Sequence, residues 1–280
     1  MADGKLPSIP VFSGVATGLG FYVRDNNGFA MKKQAAGSTR SRDGACRMNV
    51  LRSRDNARYK HWRAIAQEAK IRRAQSLALL IGEHLIEAAL QAKMPLREMI
   101  FAESFCQDEH LLRLAALANI PSVAITDAMF STLCDTPSIA GIAGVMALPV
   151  APSHLENAPV AHQRIVVLDA IQDAGNLGTL LRSAAAFGYS QAILGPGCAD
   201  PWSPKSLRAG MGAQFVLAIC TTTDLASCIQ QLMIPTIAAV AHGGDRLDAI
   251  SIPSAHAWVF GSEGQGISRS EEHTSELQSH

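Results

Sequence analysis

The chain has 280 residues, a formal net charge of zero, 48% hydrophobic residues and only 5% aromatic ones. That length supports one large domain or two modest ones, and an aromatic-poor interior built from Ala, Leu and Ile favours an α/β chain over an all-β one. Zero net charge supplies no global field for a nucleic-acid partner, so local clusters have to carry any such argument. The six cysteines form no CxxC pair and no zinc-finger spacing with histidine. No metal site is therefore expected, and reduced, partly buried thiols in a cytoplasmic protein are. The apolar runs are too short or too interrupted to span a bilayer, so no membrane is expected as a partner. The N-terminus lacks the basic start and continuous apolar stretch of a secretory signal.

In chain order, residues 1–47 come first and show no sustained helical or strand period. Gly14, Gly18 and Gly20 precede a short apolar stretch, Phe21-Tyr22-Val23, where a weak strand could form, but the segment reads first as disordered and as an extension upstream of a natural start at Met48. From 48 to about 75 the chain is basic. Arg52, Arg54, Arg58, Lys60, Arg63, Lys70, Arg72 and Arg73 face only Asp55 and Glu68, while Tyr59, Trp62, Ile65 and Ala66 recur at helical spacing. This predicts one amphipathic helix with a cationic face, which taken alone reads first as a solvated surface, with an RNA phosphate contact as the sharper alternative. Strands are predicted at Leu77–Ile81, Met99–Ala102, Ser122–Ile125 and Ile142–Ala147, and helices at Glu83–Ala92, Glu109–Ala118 and Asp127–Leu133. Residues 48–150 thus form a compact α/β module. A proline-containing stretch that ends at 163 reads as a linker, with 151–163 as its core.

A second module opens at Arg164. The apolar run Ile165–Leu168 suits a strand buried on both faces. Helical periodicity over Asn176–Phe187 ends at Gly188 in a C-cap position. Strands follow at Ala192–Leu194, Val216–Cys220, Thr236–Val240 and Ala257–Phe260, with helices at Lys205–Met211 and Leu225–Leu232. This alternation predicts a parallel sheet covered on both faces. Residues 269–280 contain a single aliphatic residue, resemble the translation of a sequencing adapter, and are set aside as non-native.

Two clusters could carry chemistry. The first runs from Asp173 to Gly188, where a buried strand passes into a helix, the edge at which open α/β sheets build sites. There Asn176 can cap the helix and its amide can bond a substrate hydroxyl. Arg182, flanked by Leu181 and the Ala184–Ala186 run, needs an anion or carboxylate partner. The second is the strand and glycine-rich loop Trp258–Ile267, which holds one carboxylate, Glu263. It matches neither a P-loop nor GxGxxG, which argues against a nucleotide-binding oxidoreductase. Taken singly, an ordinary N-cap with a surface arginine, and a tight turn after a strand, account for the same residues.

Together the clusters are specific. The spacing N-x-G-x-x-x-R-x-x-x-x-x-G, followed about seventy residues later by G-S-E-G-x-G, resembles motifs 1 and 2 of the SpoU/TrmH branch of the SPOUT methyltransferases. The intervening segment Ser206–Ala213 resembles the family's stretch before its middle strand. Residues 51–150 resemble the small L30e-like substrate-binding domain that often precedes it, through Arg52–Asn56 and Leu79–Glu83. Ala174 stands where the family has proline. The family's third motif, with the segment that threads a trefoil knot and supplies part of the cofactor pocket and dimer interface, is expected after Ile267. The tail stands there instead, so weak or absent activity is expected of this chain.

The resemblance implies an α/β fold with a knotted methyltransferase domain over 164–268 and an RNA-binding domain over 48–150. It implies transfer of a methyl group from S-adenosylmethionine to a ribose 2′-hydroxyl of tRNA or rRNA by a homodimer. Arg182 would orient the hydroxyl and bind phosphate, since a free guanidinium, with a pKa above about 12, is a poor base. Glu263 would position Arg182 or the ribose, and Asn176 would hold the substrate or the active-site turn. Gly261, Ser262, Gly264, Gly266 and Ile267 would close round the cofactor. Arg52, Arg54, Arg58 and Arg208 would contact RNA. The rival from another class is a non-catalytic RNA-binding protein that uses the basic helix and the small module.

Overall fold

The structure is a computed structural model that describes residues 48–134, 141–150, 163–240, 244–264 and 266–267. The expectations for residues 1–47, for most of the linker, for the tail and for the knot-threading segment lie outside the described residues.

The first module has a mixed five-stranded sheet flanked by five helices. Its strands are β1 (Val50–Leu51), β2 (Leu77–Ile81), β3 (Leu96–Ala102), β4 (Ser122–Ile125) and β5 (Ile142–Ala147), in the spatial order β1-β4-β3-β5-β2. β1, β4 and β3 run parallel, and β5 is antiparallel to both β3 and β2. The helices are α1 (Ala57–Gln67), α2 (Ala69–Gln75), α3 (Glu83–Gln91), α4 (Glu109–Ala118) and α5 (Asp127–Cys134). α1 and α5 cover one face of the sheet with Tyr59, Trp62, Ile65, Met129 and Phe130. α3 and α4 cover the other with Leu85, Ile86, Leu111 and Leu114.

The single basic helix expected over 48–75 is corrected. β1 occupies its start, and Glu68, with φ −112° and ψ 109°, breaks the remainder into α1 and α2. The break lets the chain double back, so that Arg72, counted with the cationic face, is instead 3% exposed. Its Nη1 donates to the carbonyls of Ile65 (2.7 Å) and Ala66 (2.9 Å). These belong to the last turn of α1, whose carbonyls lack intrahelical donors, and a cation is favourable at that end of the helix dipole.

In the second module every strand is parallel. Its strands are β6 (Arg164–Leu168), β7 (Gln191–Leu194), β8 (Ala218–Thr221), β9 (Thr236–Ala239) and β10 (His256–Phe260), in the order β8-β7-β6-β10-β9. Helices α6 (Ala174–Ala186), α7 (Pro204–Gly210) and α8 (Leu225–Gln230) connect β6 to β7, β7 to β8 and β8 to β9. Alternation along β6 sends Val166 and Leu168 into a cluster with Leu177 and Leu181 of α6. Ile165 and Val167 enter one with Leu225 and Ile229 of α8. This is the double coverage that a continuous apolar strand implies. α6 begins two residues earlier than expected, and its cap is Asp173 rather than Asn176: Asp173 Oδ1 accepts from the Asn176 backbone N–H at 2.9 Å. Gly188, with φ +75°, follows the helix end as expected.

None of the described cysteines is in a disulfide, and Cys106 and Cys134 are buried. Burial pushes the Cys134 thiol up to about 12.

Candidate functional site

In the second sheet the chain runs outward from β6 through β7 to β8, then crosses over to β9 and returns in β10 beside β6. The strand order therefore reverses between β6 and β10, and the crevice beyond their carboxyl ends is where open α/β sheets bind ligands. Phe260 is in register with Leu168, so the two sequence clusters leave the sheet side by side. The Asp169 N–H donates to the Phe260 carbonyl at 2.8 Å and clamps the two exits.

Asn176, in the first turn of α6, and Glu263, in the loop after β10, meet at this reversal: Asn176 Nδ2 donates to Glu263 Oε1. Both side chains are exposed. The second carboxylate oxygen, the second amide N–H and the amide oxygen can therefore reach a ligand. Asp173 supports this pair. One of its oxygens caps the Asn176 N–H, and the other accepts from Lys205 Nζ of α7 at 2.5 Å. Lys205 above all, then the Asn176 N–H, holds the Asp173 carboxyl below its ordinary range.

The glycine-rich loop folds on itself. Ser262 N–H donates to the Gly266 carbonyl and Gly266 N–H to that of Ser262, each at 2.9 Å. A Cβ on Gly261 would lie 2.1 Å from the carbonyl carbon and oxygen of Gly266, so the loop closes only over glycine. Gly264 is open to space, and Gly266 has φ +70°. Ile267 is 5% exposed and packs in the core among Val259 and Ile165. The loop thus presents Glu263, Gly264 and Gly266 outward and anchors itself through Ile267.

Arg182 is exposed on α6 and makes no hydrogen bond or ion pair among the described residues. Glu263 is engaged by Asn176, so the anion or carboxylate expected for Arg182 is not supplied by Glu263 among the described residues. Among the arginines expected to meet RNA, Arg52 pairs with Glu103 at 2.5 Å and Arg58 pairs with Glu98 and lies over the Trp62 ring. Arg54 is exposed. Arg208 is half-buried, and its Nη1 has no partner. It lines a cavity of about 400 Å³ with Gly82, Glu83, His84, Phe105 and Met211. Asp173 and Lys205 were not among the residues expected at the site. The Asp three residues before Asn176 is a legible capping signal, whereas nothing local points to Lys205.

Residues 163–278 match the model of the SpoU rRNA methylase family, and residues 56–144 match that of the MRM3-like substrate-binding domain. The chain thus carries a SpoU methylase domain preceded by an MRM3-like substrate-binding domain. Its relatives include the 23S rRNA (guanosine(2553)-2′-O)-methyltransferase RlmP of Bacillus subtilis. It is 27% identical over 223 residues, which cover 79% of this chain and 85% of the relative. The mitochondrial rRNA methyltransferase 3 of Homo sapiens is 33% identical over 57% of this chain and 38% of its own length. A solved RNA 2′-O ribose methyltransferase superposes with a TM-score of 0.68 at 25% identity, covering 80% of this chain and 86% of that one. The AdoMet-bound rRNA methyltransferase of Sinorhizobium meliloti has the same fold, with a TM-score of 0.67 at 24% identity over 79% of this chain and 84% of that one. Among the described residues no helix is long and apolar enough to cross a membrane, and no group of three or more His, Cys, Asp or Glu side chains could hold a metal ion.

Proposed function

We propose that this chain methylates a ribose 2′-hydroxyl of rRNA or tRNA with S-adenosylmethionine. The observation that carries the reading is the meeting of Asn176 and Glu263 at the strand-order reversal, in a domain that matches the SpoU rRNA methylase model and whose relatives include an rRNA 2′-O-methyltransferase. The loop after β10 fits the cofactor: its outward backbone at Gly264 and Gly266 leaves room for close approach, and Gly261 allows the loop no side chain at its neck. Bound there, S-adenosylmethionine would supply a methyl group on a sulfonium, which needs no acid to leave.

The protein's task is then to aim and activate the hydroxyl. Arg182, a cation free of protein partners among the described residues, binds the adjacent phosphate and directs the hydroxyl. Glu263 and Asn176 form a fixed acceptor–donor pair for the ribose. Arg52, Arg54, Arg58 and Arg208 contribute RNA contacts from the first module and α7. Of these, Arg54 is the one whose charge is least committed within the protein. The reading extends to a homodimer working in the cytoplasm, which size-exclusion chromatography with light scattering and localisation of a tagged chain can check.

The decisive experiment measures transfer of a radiolabelled methyl group to total RNA, with ribose methylation mapped, alongside calorimetry with S-adenosylmethionine. Arg182→Ala is expected to reduce transfer by at least about 10²-fold and to leave cofactor binding intact. Retained transfer would remove Arg182 from the catalytic machinery. RNA binding with no cofactor binding would place the chain among non-catalytic RNA binders.

A further inference from the structure

The Asn176–Glu263 pair is the end of a longer chain of contacts that begins in the other module. Arg72 Nε, on α2, bonds Asp200 Oδ2 at 2.7 Å, with side-chain exposures of 4% and 9%. Asp200 organises the approach to α7. Its Oδ1 accepts from the Trp202 N–H at 2.9 Å, and its carbonyl accepts from Ser206 Oγ at 2.8 Å. Ser203 caps α7. α7 in turn lies hard against α6: a Cβ on Gly178 would stand 2.5 Å from the Ser206 carbonyl and 2.6 Å from Ala209 Cβ. Lys205, one residue from Ser206, reaches across to Asp173, which holds the Asn176 N–H.

We propose that Lys205 is a positioning residue for the Asn176–Glu263 pair, itself placed from the first module through Asp200 and Arg72. The proposal rests on the methyltransferase reading of that pair. Lys205 touches none of the groups assigned to substrate. It acts through Asp173, and its ammonium fixes which way the Asp173 carboxylate turns and hence where the first turn of α6 begins. The buried Arg72–Asp200 pair makes α7 a rigid strut, so the seating of the first module on the second sets the geometry at the site. A 1 Å misplacement of a positioning group can cost about 10²-fold in rate, so a contact remote from the reacting atoms has leverage on the reaction.

The test compares Lys205→Met, which keeps the stem and removes the charge, with Lys205→Arg, which restores a cation. The first readout is the side-chain amide of Asn176 in ¹⁵N spectra, assigned with Asn176→Ser and recorded on the full chain. In the unmodified protein this amide is expected to be shifted and slowly exchanging. Lys205→Met moves it to the position of a free amide, Lys205→Arg largely restores it, and the melting midpoint stays put because Lys205 is exposed. The second readout is methyl transfer: kcat falls about tenfold with KM for RNA unchanged. An Asn176 amide unmoved by Lys205→Met would overturn the proposal. So would a loss of RNA affinity with a salt slope smaller by about one, since Lys205 would then be contacting phosphate itself. If the unmodified chain transfers no methyl group, the methyltransferase reading fails, and the amide spectrum still decides the positioning claim.

Discussion

Arg72→Met removes a guanidinium from the seam between the two modules and leaves Asp200 behind. The structure allows the cost to be worked out. The ion pair is nearly dry, with side chains 4% and 9% exposed and 2.7 Å between Nε and Oδ2. Two more hydrogen bonds, to the carbonyls of Ile65 and Ala66 at the end of α1, are lost with it. Breaking one side of a buried pair costs about 3–5 kcal/mol, mostly because the remaining charge is left uncompensated. For a chain of this size that corresponds to a melting midpoint lower by roughly 6–20 °C, at about 2–4 °C per kcal/mol. Thermal unfolding followed by circular dichroism measures it, with Arg52→Met as the control. The Arg52–Glu103 pair is 65% and 37% exposed, so its loss is expected to cost less than about 1 kcal/mol. Adding Asp200→Asn to Arg72→Met removes the stranded charge while keeping an acceptor for the Trp202 N–H, and it is expected to recover part of the loss. A fall below about 1 kcal/mol for Arg72→Met, or a double variant worse than the single one, would refute the reasoning.

Other perturbations test the site itself. Gly261→Ala would push a methyl group into the backbone of Gly266 and Ile267, forcing the loop open. Calorimetry with S-adenosylmethionine is expected to show cofactor binding lost while the far-ultraviolet spectrum of the folded chain is kept. The Asp173 carboxyl is held low by Lys205 and the Asn176 N–H, so its contribution is fully present above the unfolded carboxylate value of about 3.9. It is lost only as the pH falls through the lower folded value. A carboxyl-carbon titration is expected to show that depressed midpoint and to show it rise in Lys205→Met. An unshifted midpoint in the unmodified chain would show that the ion pair does not form in solution.

Much of the fold was legible because periodicity reports burial. Leu77–Ile81, Ser122–Ile125 and Ile142–Ala147 read as strands, and the structure gives each the same limits. The apolar run at Ile165–Leu168 announced a strand covered on both faces, and α6 and α8 supply that cover. The basic segment misled for a physical reason. Lysine and arginine are counted as surface residues, yet Arg72 is buried because Asp200, 128 residues away, and the end of α1 compensate its charge. At Arg182, flanked by apolar neighbours along the chain, helical geometry turns Leu181 inward and leaves the arginine exposed.

By itself the sequence determined that residues 164–267 alternate strand and helix, that Asn176 and Glu263 lie just beyond strand ends with Arg182 further along the helix that Asn176 opens, and that the loop carrying Glu263 is glycine-rich. These are local properties, set by side-chain period, capping chemistry and backbone freedom. Tertiary structure alone decided that β6 and β10 are neighbours, that Glu263 therefore meets Asn176 across 87 residues rather than meeting Arg182, and that Lys205 and Arg72 stand behind that meeting. The period of a strand says which face a residue takes. It does not say which strand lies beside it, and that is settled only when the apolar faces of all five strands and their helices are buried at once.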